Sequence, residues 1–139
     1  MKKILLGCLL LCSAAIWAVP DQLLIKITNS GASDCVLKKS LILYGHVSDH
    51  TAIPQVIPPY QTESFMMRGT RFSDKSLLLT YACGADQEAT FFTDGDTIYA
   101  HGHIVDAQNI QVTVKKFNLG KFTMRFSTDY PKIFWTLTY

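Results

Sequence analysis

The stretch KIFWTLTY, Lys132 to Tyr139, carries the pattern from which the rest of the chain can be read. Ile133, Trp135, Leu137 and Tyr139 alternate with Lys132, Thr136 and Thr138. Successive side chains of a β-strand point to opposite sides, so a period of two marks a strand with one buried and one wet face. Phe134 falls among the polar residues. That phase puts an aromatic ring on the outer face, where it can stack on a sugar, enter a membrane interface or meet a protein.

The same period recurs upstream. Leu23, Ile25 and Ile27 stand opposite Lys26 and Thr28; Leu41, Leu43 and Val47 repeat the pattern, as do Leu77, Leu79 and Tyr81. Ile110, Val112 and Val114 alternate with Gln111, Thr113 and Lys115, and Phe122, Met124 and Phe126 alternate with Lys121, Thr123 and Arg125. No segment keeps a helical apolar stripe over several turns. Asn29-Ser30-Gly31, Asp94-Gly95-Asp96, Asn118-Leu119-Gly120 and Asp129-Tyr130-Pro131 supply turn chemistry between the runs. Pro54, Pro58 and Pro59 confine residues 52–60 to an edge or a crossover, because proline cannot donate to a ladder. The runs number about eight or nine, which predicts an all-β protein: one antiparallel β-sandwich rather than a barrel.

The chain opens MKKILLGCLLLCSAAIWAVPDQ, with two lysines, an apolar run from Ile4 to Leu11, and small residues before Ala18. This is the layout of a signal peptide, with cleavage expected after Ala18. Residues 19–139 are then a single domain of a bacterial exported protein, periplasmic or secreted, with no transmembrane segment in the mature chain. Leu5-Leu6-Gly7-Cys8 resembles a lipobox, but so short an apolar run before Cys8 argues against lipidation.

The charge balance follows from the leader. Of 13 Lys+Arg and 11 Asp+Glu, Lys2 and Lys3 leave with the signal, so the mature chain is formally neutral. Binding of nucleic acid loses its electrostatic basis, since only Lys38-Lys39 and Lys115-Lys116 pair basic residues. Cys8 and Cys12 leave as well. Cys35 and Cys83 remain, and two cysteines in an oxidising compartment predict one disulfide.

Candidate chemistry centres on Gly95 to His103, GDTIYAHGH. Histidines two apart on a strand share a face, about 7 Å apart, and could share zinc or copper. A third ligand would come from His46, His50 or Asp106, with Asp94 and Asp96 as further candidates. Strand phase favours another use: Ile98, Ala100, Gly102 and Ile104 point inward, leaving His101 and His103 on a solvated face. The glycine, five residues and His-x-His resemble the first half of the cupin signature. Ala107 and Gln108 stand where a cupin places its glutamate, and no histidine follows His103. Met124 reads as core packing, and the adjacent Met66 and Met67 point to opposite faces, which argues against copper ligation. G-x-S-x-G, P-loop, H-E-x-x-H and G-x-G-x-x-G motifs are all missing, so no catalytic residue is assigned.

Tyr60, Tyr99 and Phe134 are the candidate binding residues. Ile25-Lys-Ile-Thr-Asn29, Leu41-x-x-x-Gly45, Ile57-Pro-Pro-Tyr-Gln-Thr-x-Ser-Phe65 and Leu79-Thr-Tyr81 together resemble the opening strands of the aegerolysin-like β-sandwiches. Those are small proteins that bind membrane lipids, and the resemblance, over residues 25–81, implies a sandwich and a peripheral membrane contact. The expectation is therefore a non-enzymatic binding or interaction module for a lipid, glycan or protein, without a cofactor. The alternative is a metal-binding protein or metalloenzyme built on His101 and His103.

Overall fold

The computed structural model describes residues 21–69, 74–119 and 129–139. The expected leader, residues 1–18, and the expected strand around Phe122, Met124 and Phe126 lie outside the described residues.

Ten strands are described: β1 Gln22–Asn29, β2 Cys35–Tyr44, β3 His46–Val47, β4 Val56–Ile57, β5 Thr62–Arg68, β6 Lys75–Cys83, β7 Gln87–Gly95, β8 Ala100–Gln108, β9 Gln111–Phe117 and β10 Lys132–Thr138. They form two five-stranded sheets, sheet I in the order β3-β5-β1-β10-β9 and sheet II in the order β4-β2-β6-β7-β8. The all-β sandwich is as the alternation predicts. The strands beyond the expected eight or nine include β3 and β4, each only two residues long and without a readable period. One pairing departs from the antiparallel expectation: β10 runs parallel to β1, Ile25 opposite Ile133 and Ile27 opposite Trp135.

The core lies between the sheets. Leu23, Ile25, Ile27, Phe65, Met67, Ile133, Trp135 and Leu137 of sheet I meet Leu77, Leu79, Tyr81 and Phe91 of sheet II, all buried. The Trp135 indole lies 4.6 Å from the Phe91 ring, centroid to centroid, and donates from Nε1 to Thr93 Oγ1 at 2.8 Å. That bond satisfies the one polar atom a tryptophan brings into a core. The Tyr81 hydroxyl likewise donates to the Pro54 carbonyl at 2.7 Å, which ties the core to the proline-rich crossover. As the prolines require, residues 51–60 pass between the sheets and contribute only the edge strand β4.

Cys35 and Cys83 face each other at the first β2–β6 pair and are bonded. Beside them, Asn29 Nδ2 donates to the carbonyls of Ser33, Ile57 and Pro58, while its Oδ1 accepts from the Gly31 N–H. One buried amide thus holds two crossovers in place. At the opposite end Gly45 takes φ +80°, with the Arg68 carbonyl only 2.7 Å from where a Cβ would lie. The chain switches there from sheet II to sheet I, a bend that favours glycine.

Two stretches of the expected alternation do not hold. Leu41 and Leu43 are 45% and 50% exposed. β4 pairs only with Cys35 and Val36, so most of β2 is an uncovered edge, and register shifts after Leu37 and Ile42 break its phase. Ile104 is 49% exposed instead of buried, because a register shift between Thr90 and Phe91 interrupts the β7–β8 ladder and β8 is itself an edge.

Candidate functional site

The outer face of sheet I is built by the residues that the buried alternation leaves over. Three successive rungs cross four strands in the order β5, β1, β10, β9. Met66, Leu24, Lys132 and Phe117 form the first rung; Ser64, Lys26, Phe134 and Lys115 the second; Thr62, Thr28, Thr136 and Thr113 the third. Across the second and third rungs lies an open depression of about 440 Å³, lined by Lys26, Thr28, Thr62, Thr113, Val114, Lys115, Phe134 and Thr136.

Phe134 is the half-buried centre of this surface. Its ring packs against Phe117 at 4.9 Å, tilted by 50°. The Lys26 ammonium lies 5.5 Å from the Phe134 centroid, and that of Lys115 lies 5.1 Å from the centroid of Phe117. Below the rings the hydroxyls of Thr28 and Thr62 share a hydrogen bond of 2.7 Å. The arrangement offers aromatic area, hydroxyl donors and acceptors, and two ammonium groups on one rigid face.

The charges are segregated between the two faces. The strands of sheet I turn Lys26, Arg68, Lys115 and Lys132 outward and, among the described residues, no carboxylate. Asp129, just before β10, lies 3.4 Å from the Lys132 ammonium. Its carboxyl is held below the ordinary range, chiefly by the Tyr130 N–H. Sheet II is the reverse: Glu88, Asp94 and Asp106 project from its outer face with Lys39. The described strands thus present one basic and one acidic face.

Phe134 is the expected binding residue that the structure places in the depression. Tyr60, 72% exposed with φ 60°, sits in the β4–β5 turn. Tyr99 sits in the β7–β8 turn, its ring 6.3 Å from that of His101. These turns lie at opposite ends of the sandwich, so the three aromatics do not make one site.

His101 and His103 are exposed on β8, opposite Asp94 and Phe92, with the His103 ring 6.4 Å from Phe92. His46 is on β3 in the other sheet and His50 is in the turn after it. Asp106 is on β8 beyond the register shift, where it accepts from Gln108 Nε2 at 3.2 Å. Among the described residues, no three His, Cys, Asp or Glu side chains come together in a way that could hold a metal ion. The glycine between the histidines has another use: a Cβ on Gly102 would lie 2.7 Å from Trp135 Cζ2 and 2.8 Å from Ile133 Cδ1. No helix among the described residues is long and apolar enough to cross a membrane.

Lys26, Lys115 and the threonine rung were missed by motif reasoning. Thr28, Thr113 and Thr136 are each visible as outward-phase residues, but only the register between strands aligns them.

No protein-family model matches the chain, and no curated protein matches it. Solved structures do. The lipid binding protein Nakanori superposes with a TM-score of 0.66 at 9% identity, over 88% of this chain and 73% of its own. RahU protein, crystallised with a TRIS molecule, gives 0.62 at 13% identity over 87% of this chain and 96% of its own. IP-1A from Alcaligenes faecalis gives 0.58 at 12% identity, over 86% and 91% respectively. At such identities the likeness is one of fold. The chain is a β-sandwich of the architecture these proteins share, and the match does not assign it to the aegerolysin family.

Proposed function

We propose that this protein is a non-enzymatic binding module that docks on a phospholipid surface through the outer face of sheet I. The observation that carries this reading is the placement of Phe134 between Lys26 and Lys115, beside a rung of four threonines, on a face whose outward strand charges are, among the described residues, all basic. An aromatic ring suits the interfacial zone of a bilayer, lysines suit phosphates, and threonine hydroxyls suit headgroup oxygens. The likeness of fold to a lipid binding protein supports the class of ligand. Export by the N-terminal leader would bring a disulfide-bonded module to lipid surfaces outside the bacterial cytoplasm, where such a bond persists.

Co-sedimentation with vesicles of mixed zwitterionic and anionic phospholipids tests the proposal. The protein is expected to pellet with the vesicles, and Phe134→Ala, which leaves the core untouched, is expected to lower the bound fraction several-fold. A protein that stays in the supernatant at every lipid concentration would refute it.

A further inference from the structure

Resting on that membrane reading, we infer that the headgroup accepted by the depression is a net-anionic phosphate ester and that zwitterionic phosphocholine is discriminated against. Recognition of a quaternary ammonium needs an open aromatic face for the cation to lie over. Here those faces already have cations. Lys26 lies over Phe134, Lys115 over Phe117, and, at the end of the same sheet, Lys132 over Tyr130 at 5.5 Å. A choline group entering the depression would meet tethered ammoniums and would have to displace them.

The same lysines suit an anion. Among the described residues, neither Lys26 nor Lys115 has a hydrogen bond or ion pair, whereas Lys132 is matched by Asp129. Lys26 and Lys115 stand two strand spacings apart, about 10 Å, on either side of Phe134. Flexible stems let both ammoniums converge on one phosphate above the ring. The hydroxyls of Thr136 and Thr113, one rung down, can then donate to its remaining oxygens. Apart from Asp129, which Lys132 engages at the rim, nothing described on this face repels such a ligand. The carboxylates of the outer strand faces are instead Glu88, Asp94 and Asp106 on sheet II, which orients the molecule with sheet I toward an anionic bilayer.

The test compares vesicles of phosphatidylcholine alone, the same vesicles containing phosphatidylglycerol, and soluble glycerol 3-phosphate. Binding is expected only with phosphatidylglycerol present, weakening as salt rises. Lys26→Ala/Lys115→Ala is expected to weaken it about thirtyfold, taking each lysine's usual contribution near an anionic surface. Lys38→Ala/Lys39→Ala removes the same charge from β2 and is expected to leave binding unchanged, which separates a site from net charge. Equal binding to phosphatidylcholine alone would overturn the anion inference and leave the membrane reading intact. An equal loss in both double variants would also overturn it. Tight binding of glycerol 3-phosphate without vesicles would overturn the lipid source, and no binding to either vesicle would overturn both proposals.

Discussion

The Trp135 indole occupies the space that a side chain on Gly102 would need, with Cζ2 2.7 Å from the position of the absent Cβ. This contact crosses the sandwich, since Trp135 is on β10 of sheet I and Gly102 on β8 of sheet II. It explains the glycine of His-Gly-His by packing. Gly102→Val should therefore force the ring out of its place and cost about 1–3 kcal/mol, the usual penalty of overpacking. Denaturant unfolding followed by the environment of Trp135 would measure it, and a stability equal to the parent's would contradict the contact.

Lys75 is fully buried and forms an ion pair with Asp21. Breaking such a pair from one side removes a charge-assisted contact from a place water does not reach. Asp21→Ala should destabilise the fold by about 1.5–3 kcal/mol, the usual contribution of a hydrogen bond to a charged group. Denaturant unfolding measures the loss, and a stability equal to the parent's would show that the ion pair contributes nothing.

The Cys35–Cys83 bond closes a loop with a sequence separation of 48. In the chain-entropy model, which is one of several accounts of disulfide stabilisation, such a loop contributes about 4 kcal/mol. Cys35→Ala/Cys83→Ala should lower the denaturation midpoint accordingly and still fold, because the bond joins strands already paired in β2 and β6. A midpoint identical to the parent's would count against the estimate.

Burial raises the Tyr81 phenol well above its ordinary value. The folded state therefore holds this proton more tightly than the unfolded chain does. Its contribution is fully present below the unfolded value of about 10 and is lost as pH rises beyond it. Stability measured from neutral to strongly alkaline pH should fall steeply above about pH 10. In Tyr81→Phe the fall should be shallower, from a lower starting stability, because the bond to the Pro54 carbonyl is gone. An unchanged slope would assign the alkaline loss to other groups.

Strand phase was legible wherever a strand is covered on one face and flanked on both edges. Ile25, Tyr81 and Trp135 fall on the buried side as their alternation predicts, and Cys35 pairs with Cys83 as expected. It failed at the margins. Leu41 and Ile104 lie on strands with an uncovered edge and a register shift, and neither property has a local signature. The parallel β1–β10 pair was hidden for a related reason, since alternation reports which way side chains point and not which strand lies alongside. The site shows both sides of this. Phe134 could be singled out by its phase alone, whereas Lys26, Lys115 and the four threonines become one surface only through the register of β5, β1, β10 and β9.

That surface can be probed at the residue on which the proposed function rests. Phe134→Trp places an indole in the depression, and Phe92→Trp places one on the outer face of sheet II as a control. Titration with anionic vesicles carrying brominated lipids should shift the emission of the Phe134→Trp variant to the blue and quench it, and leave the Phe92→Trp variant unchanged. Quenching in Phe92→Trp with none in Phe134→Trp would show that the molecule meets lipid by the other sheet and would contradict the assignment of sheet I as the binding face.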